Sequence, residues 1–260
     1  MSDYAFILFE VEDQVATLTL NRPDALNALT VEMMAEVRLA MAEVEADKDI
    51  RALIFTSAGR GFCSGQDLKN RPAEGTDIVE LYCDVYLGVF EGIRTCRVPV
   101  IVAVNGIAAG GGFSLALNGD IVMAARSAKF IQVFSRIGLI PDLGSTWLLP
   151  RAIGRTKALK IMMTNETVTA DMALEWGMIT DCVDDDQLIP RARELAAKLA
   201  KGPTLALMST RNMVDEGNAN TFAQQFRREL EVNSEMRVSF DGKEGVNAFL
   251  EKRPAAFRGE

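Results

Sequence analysis

Apolar and polar positions first organise themselves in two short runs, Phe6–Glu10 and Val15–Leu20, set apart by Glu12-Asp13-Gln14. β-forming residues in that arrangement predict a hairpin, and Asn21-Arg22-Pro23-Asp24 ends it. From Thr30 the period lengthens. Met33, Met34, Val37, Ala40, Met41 and Val44 recur at helical spacing behind a residue suited to an N-cap. The methionines in that helix are read as core filler, since an unbranched thioether fits irregular gaps. Arg51–Thr56 and Val98–Val104 predict strands, and Ile78–Arg94 predicts a helix whose aromatic positions could line a pocket. Arg71–Thr76 is a polar loop. Ile121–Ala125 and Lys129–Val133 are further strands, and Ile137–Asp142 is a loop holding Pro141. Helices are predicted to begin within Gly144–Leu149, over Thr156–Met163 and over Thr169–Trp176, the last stopped by Gly177. Ile179–Val183 is a short strand. From Asp186 the pattern is helical and charged, with a break at Gly202-Pro203 and a basic, aromatic end, Phe249–Arg258. Recurring β-β-α units make this an α/β protein, with a core over residues 1–200 and a helical region over residues 201–260.

Two glycine-rich stretches interrupt the pattern. Ser57–Asp67 reads SAGRGFCSGQD and Ala103–Asp120 reads AVNGIAAGGGFSLALNGD; each follows an apolar strand and each is expected to precede a helix. Glycine lets a ligand approach the main chain, and a helix start offers unpaired N–H groups and a positive dipole end. Two such turns can aim two backbone donors at one oxyanion, as an enolising thioester would require. Two unrelated tight turns fit the same residues.

Composition narrows the chemistry. The 260 residues are 48% hydrophobic and 25% charged, ordinary for a soluble globular chain, and no window approaches a membrane span. The first residues, MSDYAFILFEVED, carry no basic leader, so the expected location is the cytoplasm. A net charge of −8 argues against a nucleic-acid partner. Histidine is absent, which excludes Ser-His-Asp and Cys-His catalysis in their usual forms and His-ligated metals. Cys63, Cys83, Cys96 and Cys182 show no CxxC spacing, so no metal site is expected.

Longer motifs add a resemblance. GRGFCSGQDL (Gly59–Leu68) and AVNGIAAGGGFSLALNGDIVMAARSAKF (Ala103–Phe130) resemble the signature stretches of the enoyl-CoA hydratase/isomerase, or crotonase, superfamily. NRPDALNAL (Asn21–Leu29), LIPDLGSTWLLPRAIGR (Leu139–Arg155), EWGMITDCV (Glu175–Val183) and the closing FLEKRPAAF also fit. The resemblance implies a spiral of β-β-α turns, assembled as a homotrimer or homohexamer, with a C-terminal helical region to which it assigns oligomerisation and site closure. It implies an acyl-CoA thioester substrate and no cofactor beyond the coenzyme A moiety. Carried over by position, the N–H groups of Gln66 and Gly111 are the oxyanion donors. Ala25, Leu26, Asp67, Leu68 and Lys69 would lie along coenzyme A, and Gly110, Ser114 and Phe134 complete the substrate-binding set. Lys69, Arg22 and Lys252 are candidates for its phosphates, with plain surface charge as the other reading.

Departures from the family then bear on the reaction. The two glutamates of hydratases align with Ser114 and Phe134, and the histidine of a dehalogenase branch aligns with Leu87. Asp142 falls in the slot where isomerase relatives keep an acidic group. Its apolar flanks, Ile140, Pro141 and Leu143, would raise its pKa toward a useful range. Asp142 could also cap the helix opening at Gly144. The implied activity is a single-base acyl-CoA isomerase that moves a proton between substrate carbons or assists an epoxide-to-oxepin rearrangement. Two alternatives stand beside it: a hydratase with a displaced acid/base pair drawn from Glu80 or Glu91, and a non-catalytic CoA-ester binding protein.

Overall fold

The computed structural model describes residues 4–70 and 73–260; Arg71 and Pro72 of the expected polar loop lie outside them. Strands β1 (Ile7–Glu12) and β2 (Val15–Leu20) form the hairpin, turning on Asp13 and Gln14, both at positive φ. Helix α1 (Val31–Ala46) is capped by Thr30, whose hydroxyl accepts the Met33 N–H at 3.2 Å. It buries all six of the apolar residues that defined its period. Next come β3 (Ala52–Ser57), β4 (Gly61–Cys63), α2 (Ile78–Tyr82) and α3 (Gly88–Thr95). A second unit follows with β5 (Val100–Val104), β6 (Ile107–Ala109) and α4 (Gly111–Ala116). A third has β7 (Ile121–Ala125), β8 (Lys129–Ile131), α5 (Ser145–Ile153) and α6 (Arg155–Thr164). The chain then runs through β9 (Val168–Thr169), α7 (Ala170–Glu175), β10 (Asp181–Val183) and α8 (Leu188–Ala200). Helices α9 (Thr204–Gly217), α10 (Phe222–Val238) and α11 (Phe240–Glu251) complete it, with the expected break at Gly202-Pro203.

Two sheets result. The larger has the order β1-β2-β3-β5-β7-β10, parallel from β2 onward, and the smaller has the order β4-β6-β8-β9. Each unit sends one strand to the large sheet and the next to the small one, so the chain advances as a spiral. β3 and β5 are buried at every position, as parallel strands covered on both faces must be. Leu53 and Phe55 join a core shared with α1, α3 and α4, while Ala52 and Ile54 face α8. Leu188, Ala192, Ala196 and Ala200 bring α8 against that second face, the alanines allowing close approach.

Three differences from the sequence reading are physical. The stretch 78–94 is helical but carries a π-helical segment, Cys83–Leu87, between α2 and α3. β4 and β6 are three-residue strands hidden inside the glycine-rich stretches. No helix begins directly after the turn at Gly59–Leu68; α2 starts ten residues on, at Ile78. Among the described residues no helix is long and apolar enough to cross a membrane.

Candidate active site

Side-chain and main-chain pins bring the two glycine-rich turns together. Asn27, fully buried at positive φ, donates from Nδ2 to the carbonyls of Ala58 and Gly61 at 2.9 Å, and its Oδ1 accepts the Arg22 N–H. The Leu29 N–H then donates to the Gly65 carbonyl, and the Asp67 N–H to the Leu29 carbonyl. This parallel bridge consumes the groups on either side of Gln66 and turns its own N–H away. Gly65, at φ +92°, presses on the other turn: a Cβ there would stand 2.8 Å from the Ala109 carbonyl oxygen and 3.3 Å from the Gly111 nitrogen. Gly111 opens α4 and has no carbonyl behind it to bond. Neither the Gln66 nor the Gly111 N–H donates to another backbone group among the described residues. Gln66 therefore owes its free N–H to a strand-like bridge rather than to a helix start.

A cavity of about 660 Å³ lies between the 78–94 helical stretch and the 142–148 segment, with Asp142, Tyr82, Phe90, Trp147 and Glu91 among its walls. Burial among these walls raises the Asp142 pKa above the ordinary carboxylate value, its own N–H offsetting part of the effect. The Tyr82 phenol is pushed up in turn, by burial first and by the Asp142 charge second. Asp142 does not cap α5: the cap residue is Gly144, without a side-chain hydrogen bond, and the Ser145 N–H reaches the Asp142 carbonyl. The loop is held from behind. Ser114 Oγ donates to the Asp142 carbonyl at 3.0 Å, and Gln132 Nε2 donates to Ser145 Oγ at 2.6 Å, all three side chains being buried or partly so. Leu143 and Gly144 follow at φ +49° and +82°, a local strain that such tethers must hold. Leu143 also reaches the second glycine-rich turn, its Cδ1 lying 2.8 Å from where a Cβ on Gly111 would stand.

The whole spiral has known counterparts. The enoyl-CoA hydratase/isomerase family model matches residues 10–260. The chain belongs to the enoyl-CoA hydratase/isomerase family. Among curated relatives, 1,2-epoxyphenylacetyl-CoA isomerase of Escherichia coli is 45% identical, covering 98% of this chain and 99% of that protein. (E)-benzylidenesuccinyl-CoA hydratase of Thauera aromatica is 34% identical, covering 97% and 99%. The crystal structure of an enoyl-CoA hydratase from Bacillus anthracis superposes with a TM-score of 0.93 at 29% identity, covering 98% of this chain and 100% of that one. The crotonase fold expected from the motifs is the fold observed.

Within this family member the remaining site candidates fall into three groups. Ala25 and Leu26 run beside the first turn, where the Ser64 N–H donates to the Leu26 carbonyl. Asp67 pairs with Arg22 at 2.9 Å, which holds its carboxyl below the ordinary value, so Arg22 is committed inside the protein. Leu68 and Lys69 are exposed beyond it, the Lys69 N–H donating to Asp67 Oδ1. Gly110, at φ +52°, packs against Phe134. Ser114 is fully buried and spends its hydroxyl on the Asp142 carbonyl, so it braces the loop. Lys252, a candidate for the coenzyme A phosphates, closes α11 at φ +55°. Of the two glutamates, Glu91 is a wall residue and Glu80 is not. Cys63 is buried, its thiol pushed up to about 12, which makes it inert packing.

Sequence reasoning missed the supports. Gln66 Nε2 donates to the Tyr86 hydroxyl at 2.9 Å, fixing Gln66 to the π-helical segment, and Gln66 Oε1 is buried without a hydrogen-bond partner among the described residues. Trp147 is stacked between Arg94 at 4.5 Å and Arg151 at 3.9 Å. The Gln66–Tyr86 and Arg94–Trp147 contacts join residues far apart in the chain, so no local pattern announces them, whereas Trp147 and Arg151 stand at i,i+4 on α5.

Proposed function

We propose that this protein is an acyl-CoA isomerase in which the thioester oxygen sits between the N–H groups of Gln66 and Gly111 and Asp142 moves the proton. The observation that carries the reading is Asp142 itself, a carboxylate of raised pKa on an apolar cavity wall, with its loop braced by Ser114 where a hydratase would keep a glutamate. Asp142 would take the α-proton of a Δ3-enoyl thioester. The electron pair moves onto the thioester oxygen, giving a dienolate that the two N–H groups stabilise. Return of the proton to the γ-carbon gives the Δ2 isomer and frees the carboxylate. Loss of one such donor costs ~10²–10³ in rate. A ring epoxide of an arylacetyl thioester is the second substrate type the site suits, supported by the Escherichia coli relative and by the Tyr82, Phe90 and Trp147 walls. No cofactor beyond the coenzyme A of the substrate enters this scheme.

Asp142→Asn tests it. Isomerisation of Δ3-enoyl-CoA should fall by roughly three orders of magnitude or more, within the range of general-base and positioning effects combined, while the CoA-ester dissociation constant changes little. Undiminished turnover would sink the reading. Glu91 on the same wall favours a second reading, hydration by an Asp142–Glu91 pair. Loss of conjugated thioester absorbance from crotonyl-CoA, abolished in Glu91→Gln, would select it.

A further inference from the structure

A second cavity of about 410 Å³ adjoins the one on which Asp142 opens, its walls including Pro99, Ile121, Leu207, Met208 and Val214. Arg94 and Asn118 line both spaces. Asn118 is almost wholly buried and fixed, its Nδ2 donating to the Phe90 carbonyl at 2.7 Å. Arg94 stands between the two spaces. Its guanidinium lies 4.5 Å from the Trp147 ring centroid on the Asp142 side, and its Nη2 pairs at 2.8 Å with Asp215 in the rear wall.

We propose that Arg94 is a specificity-determining residue, a partition that sets the length of acyl group the site accepts, and that the rear cavity is a subsite for apolar tails which this side chain keeps closed. The inference rests on the proposed binding of acyl-CoA esters but not on the identity of the base. Three features support it. Pro99, Ile121, Leu199, Leu207, Met208 and Val214 give the rear cavity aliphatic surface on which methylenes can pack, beside two arginine–aspartate pairs. The far end keeps its own charges paired, Arg211 on Asp120, whatever happens at Arg94. The Arg94–Asp215 pair is partly exposed on both sides, 28% and 44%, so its removal leaves no fully buried unpaired charge.

Saturated esters test this without any turnover. Hexanoyl-, decanoyl- and dodecanoyl-CoA are titrated calorimetrically into wild type, Arg94→Ala, Arg94→Lys and the Arg94→Ala/Asp215→Ala double variant. In wild type and Arg94→Lys, affinity should stop rising once the first cavity is full. In Arg94→Ala and the double variant each further methylene that enters the rear cavity should tighten binding about fourfold, so the dodecanoyl-to-hexanoyl ratio rises at least about tenfold. An unchanged ratio, with hexanoyl-CoA still bound, overturns the partition alone. Failure of every ester to bind any of the proteins overturns the CoA-ester reading along with it. Intact turnover in Asp142→Asn overturns only the assignment of the base.

Discussion

Asp142 pays for its position in a way that pH exposes. Its folded pKa is raised by burial, so the native state binds a proton more tightly than the unfolded chain does. Stability must then fall as pH rises from the unfolded value, about 3.9, through the raised folded value. Asp142→Asn removes the charge while keeping the shape. Its thermal midpoint should exceed that of wild type at pH 7, and the gain should vanish below about pH 4, where both proteins are neutral at this site. Scanning calorimetry at the two pH values checks both the sign and the window. A midpoint lowered at pH 7 would mean that the carboxylate is structural.

At the scale of elements, the proposed oxyanion geometry depends on backbone approach at Gly65. An alanine there would meet the Ala109 carbonyl at 2.8 Å and would adopt φ +92°. Left-handed backbone alone costs about 1–2 kcal/mol, so Gly65→Ala should lower the melting temperature by roughly 2–8 °C. Turnover should fall at least about tenfold, since small misplacements of a site are costly. Thermal melts and steady-state kinetics on that one variant separate the two effects. The same turns show how far the chain could be read. Long elements with one clear period, such as α1, were legible because each apolar position repeats the same message. β4 and β6 were not, because three residues cannot establish a period and their pairing is with segments dozens of residues away. The π-helical segment hid for a related reason: one extra residue in a turn barely disturbs helical periodicity, yet it carries Tyr86, which holds Gln66. Asp142 was visible as a type of residue, but Ser114 as its brace was not, since their bond joins two separate units of the spiral.

The molecule as a whole leaves a long apolar edge uncovered. Phe222, Phe226 and Leu230 recur every fourth residue along α10 at 86, 55 and 59% exposure, and Phe249 and Leu250 project from α11. Among the described residues α9, α10 and α11 bury little of their own surface, and exposed stripes of this kind mark contact surfaces. We propose that this helical region joins copies of the chain, as the trimer or hexamer expected from the motifs, leaving the spiral to hold the site. Sedimentation should give a multiple of the single-chain mass, and Phe226→Asp should shift it toward a single chain. A wild-type protein that sediments as a monomer would refute the assignment.

The bond from Ser114 to the Asp142 carbonyl also constrains how this chain could change its trade. A glutamate at position 114 would supply a carboxylate where relatives with hydratase chemistry keep one. Here it would arrive in a fully buried space and cut the bond that holds the Asp142 carbonyl. On the proposed reading, one substitution at position 114 would loosen the 142–145 loop that carries Asp142, so a change of chemistry there calls for new support of that loop as well.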